Sequence, residues 1–176
     1  RTECLLFGSV ERPSSKRRYE HLELSRSSTR TASATSSSLP ASMLYSCAIY
    51  LSSGLSHVAS RAAEAARRIP KVAVVDTFTD TAYARSSVKL VAEAEPLVRA
   101  AEAVANDALS QLDLSKEPHP APHPRQGAVD MISFMPLSEQ RASAIEDDLN
   151  ACEECAWQLG ARLGAVDAEA GTPVLM

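Results

Sequence analysis

The chain has 176 residues, of which 45% are apolar and 5% aromatic, and a net charge of −4. That length suits one domain able to bury a core without disulfides or a metal, and with so few aromatics the core must be built mainly from Ala, Val and Leu. The acid excess lacks the footprint of a general nucleic-acid binder, no apolar run is long enough to cross a bilayer, and Cys4, Cys47, Cys152 and Cys155 are not spaced like a secreted disulfide framework. A reducing, cytoplasmic setting is the expectation.

Residues 1–42 differ from the rest. They are rich in Ser, Thr and Arg, as in Ser25-Arg26-Ser27-Ser28-Thr29-Arg30, and carry no sustained apolar period. Such a segment cannot offset the entropy of ordering and is expected to be a disordered extension to a domain at 43–176. An organelle-targeting peptide, which would place the protein in a plastid or mitochondrion, is the alternative. Glu3, Glu11, Glu20 and Glu23 argue against it, because such peptides are poor in acids. The chain opens on Arg1 and closes on Thr172-Pro173-Val174-Leu175-Met176, a strand just beginning, so truncation is expected at both ends, with Met43 a candidate start.

From Met43 the pattern becomes periodic. Leu44 to Leu51 reads as a strand ended by Gly54. Ser56 is a candidate helix cap, followed by an apolar face of Leu55, Val58, Ala62, Ala65 and Ile69, with Pro70 ending the helix. Lys71 to Asp76 is a β-branched run that reads as a buried strand, and Thr77 to Arg85 as a polar connection. Ser87 to Val91 reads as a third strand. Pro96 suits the first turn of a helix whose face is Leu97, Ala101, Val104, Ala108 and Leu112. The loop from Pro118 to Arg125 can be neither helix nor central strand, because its prolines remove donors and fix φ. Ala128 to Phe134 reads as a strand closed by Pro136. Ser138 is expected to cap a long helix with an apolar stripe of Ala142, Ile145, Leu149, Cys152, Ala156, Leu159 and Leu163, ended by Gly164. A last strand begins near Pro173. The order β-α-β-β-α-β-α-β predicts an α+β fold: a ferredoxin-like β-α-β-β-α-β sheet with helices on one face, plus a further helix and strand.

The chemistry concentrates around His123. Prolines on both sides restrict its backbone, and an imidazole titrates near neutrality, so it can take and return a proton. Arg125 offers a planar fork for a carboxylate, and Gly127 permits close backbone approach or an unusual φ. Asp130 can orient its neighbours at a turn or strand edge. The bland alternative is a rigid surface turn with a merely exposed histidine.

The stretch His123-Pro124-Arg125-Gln126-Gly127-Ala128-Val129-Asp130 followed by Phe134-Met135-Pro136-Leu137 is similar to the H-P-R-x-G-A-x-D…F-x-P segment of glutamate formiminotransferases, enzymes found alone or fused to a cyclodeaminase. His119 falls where the family commonly has a histidine, and Leu112-Asp113-Leu114-Ser115 resembles its I-D-M-S lead-in. Val75-Asp76 and the later Arg85 resemble the family's second strand and the arginine after its loop, and Phe78 to Arg85 looks closest to single-function relatives without a cyclodeaminase. The resemblance covers 43–176, the N-terminal of the enzyme's two subdomains. It implies transfer of a formimino group from N-formiminoglutamate to tetrahydrofolate, which serves as a substrate, with His123 as acid–base residue. Arg85 and Arg125 would grip carboxylates, Gly127, Asp76 and Asp130 would lie near the site, and relatives of this family point to a homodimer.

The departures are specific. Ser52-Ser53-Gly54-Leu55-Ser56 replaces S-E-G-R-N, and Pro120-Ala121-Pro122 replaces a segment that usually holds a glycine. In the family the substrate tunnel lies between two subdomains, and the resemblance here covers only the first, so a chain limited to it is expected to bind folate poorly. A non-catalytic folate-binding domain or a protein-interaction module is therefore the alternative. Cys152-Glu153-Glu154-Cys155 lies inside a helix with Cys152 on its apolar stripe, so burial is expected rather than a zinc or redox site. His119 and His123 have no evident third metal ligand, and no metal is expected. Glu146, Asp147, Asp148, Glu153 and Glu154 read as a solvated face, and Trp157 as packing.

Overall fold

Strand β1 (Tyr45–Leu51) shows the period of two that a half-covered sheet requires: Cys47, Ile49 and Leu51 are buried, while Tyr50 between them is exposed. The computed structural model describes residues 43–116, 119–137 and 145–164. Along the chain follow α1 (Ser56–Arg67), β2 (Ala73–Asp80), β3 (Arg85–Ala92), α2 (Ala94–Gln111), β4 (Val129–Pro136) and α3 (Ile145–Gly164). The strands form one antiparallel sheet in the order β2-β3-β1-β4, with Ile49 opposite Val88 on one side and Ile132 on the other. This is the expected ferredoxin-like arrangement.

The helices share one face of the sheet. α1 lies over β2 and β3, α2 over β3 and β1, and α3 over β4. Alanines at their contact positions allow close approach. α1 buries Val58, Ala59, Ala62, Ala63 and Ala66, and α2 buries Leu97, Val98, Ala100, Ala101, Val104, Ala105 and Ala108. They close over Ile49, Leu51, Val88 and Leu90, whose removal from water stabilises the fold by about 1.5–3 kcal/mol each. Pro96 sits in the first turn of α2, and Pro136 is the last residue of β4, as expected. None of the described helices is long and apolar enough to cross a membrane.

Several expectations are corrected. Ser56 is the first residue of α1, not its cap; Leu55 holds that position, with no side-chain hydrogen bond. Leu55 is exposed, and the packed face turns toward Ala59, Ala63 and Ala66 rather than Ala65. β2 is not a buried strand ending at Asp76. It is an edge strand that continues through the polar run to Asp80. Its register slips between Val74 and Asp76, so Val75 stands out 57% exposed and the alternation is broken where the sequence would display it. The buried stripe of α3 runs through Asp148, Cys152, Cys155, Leu159 and Leu163, leaving Leu149 exposed. Asp148 is thus not on the solvated face. It sits near Tyr45 and Cys152, whereas Glu146, Asp147, Glu153 and Glu154 do face water. The extension at 1–42, the Ser138 cap, Ala142, the Ile145 side chain and the strand near Pro173 lie outside the described residues.

Candidate active site

Three connections meet at one end of the sheet. They are the β1–α1 loop from Ser52, the β2–β3 turn from Thr81 to Ala84, and the loop from His119 to Ala128 that enters β4. Two backbone features bring them together. Gly54 lies so close to the turn that a Cβ would stand 3.0 Å from the Ala84 Cα and 3.1 Å from the Asp80 carbonyl oxygen. Here glycine serves close approach, because its φ is not positive. The turn itself is held by Asp80, whose Oδ1 accepts from the Tyr83 amide at 2.9 Å, and Ala84 adopts the left-handed region with φ 51°.

The second feature is a bulge. In the pairing of β1 with β4, Tyr50 faces Met131 and Leu51 faces Val129, so Asp130 is the extra residue. Freed from the ladder, its carboxylate gathers donors from the β1–α1 loop, from the loop entering β4 and from Arg85, the first residue of β3. Oδ1 accepts from Ser52 Oγ at 2.6 Å, from the Gln126 amide at 3.1 Å and from the Gly127 amide at 3.3 Å, and Oδ2 is 2.5 Å from Arg85 Nε. Ser52 also donates its amide to the Ala128 carbonyl at 2.9 Å, and its hydroxyl reaches the Gly127 carbonyl as well. Burial pushes the Asp130 carboxyl up. The bonds from Ser52, Gln126 and Gly127 and the charge of Arg85 outweigh burial and hold it below the ordinary carboxylate value.

Arg85 is divided among the same groups. Nε meets Asp130, Nη1 donates to the Ala84 carbonyl at 3.0 Å, and Nη2 donates to the Pro124 carbonyl at 2.7 Å. Nη2 is also 3.3 Å from Nδ1 of His123, whose ring is exposed. His119 Nε2 contacts the His123 carbonyl; a carbonyl only accepts, so the histidine donates. Arg125 is half-buried, and its Nη2 donates to the Leu114 carbonyl at 3.5 Å. Gly127 makes a close approach, a Cβ there lying 3.2 Å from the Val129 oxygen.

Five residues singled out in the sequence, His123, Arg85, Arg125, Gly127 and Asp130, therefore stand in or beside one loop cluster. Asp76 does not join them. It lies midway along β2, its carboxylate 2.8 Å from the ammonium of Lys89 on the neighbouring strand. Ser52 joins the cluster although its residue type alone does not single it out. Its signals are its match to the serine of S-E-G-R-N and its place at the end of β1 before Ser53-Gly54, where a short hydroxyl can reach across to β4.

Beside this rim the face of the sheet opposite the described helices carries large apolar side chains. The row nearest the loops is Phe78, Ser87, Tyr50 and Met131, with Phe78 57% and Met131 54% exposed. The opposite face holds the thiols. Cys47, Cys152 and Cys155 are all buried, and burial pushes each of them up, Cys152 to about 11. They are inert core groups, and Cys155 as well as Cys152 belongs to the packed stripe. Among the described residues, no group of three or more His, Cys, Asp or Glu side chains could hold a metal ion.

The family profile described as "Formiminotransferase domain, N-terminal subdomain" matches residues 44–176. A formiminotransferase cyclodeaminase-like protein of Arabidopsis thaliana is 33% identical over 127 residues, covering 69% of this chain and 41% of that protein. A glutamate formimidoyltransferase of Streptococcus pyogenes is 28% identical over 63% of this chain and 33% of its own length, and one of Thermoplasma acidophilum is 30% identical over 66% and 35%. The chain thus spans less than half the length of each of these relatives.

Proposed function

The chain belongs to the formiminotransferase N-terminal subdomain family, and from that premise we propose that it is the acid–base half of a folate-dependent formimino transferase. The observation that carries this reading is the exposed His123 ring, braced on both sides by a loop tied to Arg85 and Asp130. Moving a formimino group from N-formiminoglutamate to tetrahydrofolate takes the amidine carbon from one nitrogen to another. The attacking nitrogen must lose a proton and the leaving nitrogen must gain one. One imidazole can do both, accepting at the first step and donating at the second. Arg125 is the candidate to grip a carboxylate of the glutamyl substrate or folate tail.

The sheet face opposite the described helices supports the same reading. Tyr50, Phe78 and Met131 offer a flat apolar surface beside the loop rim, suited to a planar ring, and large exposed apolar patches mark ligand or domain contacts. The remaining part of a full-length relative is the natural cover for this face, so the transfer site is complete only with that part present. The hairpin segment from Phe78 to Arg85 supports the narrower assignment to single-function relatives.

The test uses the chain joined to the remaining part of one of these relatives. His123→Ala should lower formimino transfer by about 10²–10⁴-fold while thermal unfolding stays unchanged. Undiminished transfer in the folded variant removes His123 from the chemistry. Tetrahydrofolate binding with no transfer by the unmutated protein would instead favour a non-catalytic binding domain, to which the replacement of S-E-G-R-N by Ser52-Ser53-Gly54-Leu55-Ser56 already points.

A further inference from the structure

The His123 ring has two neighbours at Nδ1, and they ask for opposite protonation. The Pro124 carbonyl oxygen, 3.0 Å away, only accepts. The Arg85 Nη2, 3.3 Å away, only donates. The distances decide between them. Nη2 carries two hydrogens and touches both atoms, but it lies 2.7 Å from that same Pro124 oxygen, a short charge-assisted bond, so the oxygen and not the ring is its main acceptor. A bare Nδ1 at 3.0 Å from the Pro124 oxygen would set two lone pairs against each other. A protonated Nδ1 turns the same contact into a hydrogen bond.

The carbonyl is itself pinned. Arg85 reaches it from a guanidinium whose Nε is anchored on Asp130 at 2.5 Å, and Asp130 is anchored by Ser52, Gln126 and Gly127. Both partners of that ion pair are largely buried, with side-chain exposures of 14% for Arg85 and 13% for Asp130, so water competes weakly for the bond. From the other side His119 holds the His123 carbonyl. The loop is thus fixed at consecutive carbonyls, at His123 and Pro124, and at consecutive amides, at Gln126 and Gly127.

We propose that Asp130 and Arg85 are positioning residues that hold His123 in its Nδ1–H tautomer through the Pro124 carbonyl, leaving Nε2 as the atom that exchanges protons. This deepens the acid–base reading above and rests on it only for the use made of the proton. The carbonyl plays the part that a carboxylate plays beside other catalytic histidines: it fixes the tautomer and the ring plane. Arg85 then acts through Pro124 and is not free to grip a substrate carboxylate.

The test is ¹⁵N NMR of the histidine rings in the 176-residue chain, without substrate, at a pH where the rings are neutral. His57, exposed on α1, is the internal reference. The expected result is a majority Nδ1–H form for His123 in the unmutated protein. Arg85→Lys, which loses the fork, and Asp130→Asn, which loses the anchor, should each shift His123 toward the Nε2–H form and leave His57 unchanged. A majority Nε2–H form in the unmutated protein overturns the proposal, as does a His123 tautomer that neither variant moves. If Asp130→Asn does not fold, the unmutated spectrum and Arg85→Lys still decide. The readout needs no turnover. The expected tautomer in a protein that fails to transfer would sink the functional reading alone, and the opposite tautomer in a protein that transfers would sink this network alone.

Discussion

The helix-covered interior and the loop rim are held by different forces. Under the helices, Ile49, Leu51, Val88 and Leu90 are fully buried, and the thiols among them carry no charge to lose. At the rim, a few polar atoms tie together three connections that share little apolar surface, with Asp130 at the centre. Interior contacts are many, weak and indifferent to pH. Rim contacts are few, directional and charged, so each matters more and depends on protonation. This is why the rim can carry chemistry: its geometry is set by hydrogen bonds that leave the His123 ring open to solvent, which packing would not do.

The contrast can be broken at four places. The largest effect belongs to the interior: Ile49→Ala should cost about 4 kcal/mol by denaturant unfolding, with no dependence on pH between 3 and 8, roughly as buried large-to-small changes do. Asp130→Asn should cost about 3 kcal/mol at neutral pH, because it leaves the largely buried Arg85 guanidinium without its counter-charge. Here the sign matters. The folded carboxyl lies below its unfolded value, so its contribution is complete above about pH 4 and fades as pH falls through the folded value. The gap between unmutated and variant proteins should therefore close in acid, and a gap that stays constant to pH 2 would show that packing, not charge, holds the rim.

Gly54→Ala should cost about 2 kcal/mol, since the added methyl meets backbone atoms of Asp80, Thr81 and Ala84 and not a movable side chain. A thermal midpoint unchanged by that methyl would mean the β1–α1 loop and the hairpin are not tightly joined. The smallest effect is a gain. Ala84→Gly should stabilise the turn by about 1 kcal/mol by relieving the left-handed backbone, detectable as a slightly higher denaturation midpoint.

Much of the fold is written in local pattern. The face Leu97, Ala101, Val104, Ala108 and Leu112 is buried as its spacing requires, because helical periodicity and burial are the same fact seen twice. β2 was harder to read, because it lies at an edge and carries a bulge at Val75, and both erase the alternation that marks a strand. The stripe of α3 departs from its expected line at two described positions: Asp148 faces the core where Leu149 was expected and the leucine faces water, and Cys155 is buried where Ala156 is only half-buried.

For the site, residue type and motif were enough to single out His123, Arg85, Gly127 and Asp130, since those are properties of side chains and their order. What they could not decide is which partner each side chain takes. Asp130 becomes the hub because a bulge between β1 and β4 turns it out of the ladder, and Ser52 meets it across strands far apart in the chain. Asp76, alike in kind, is drawn to Lys89 instead. Hydrogen bonds act over about 3 Å between atoms that only the folded sheet brings together, so their pairing is set by register, which no local sequence pattern encodes.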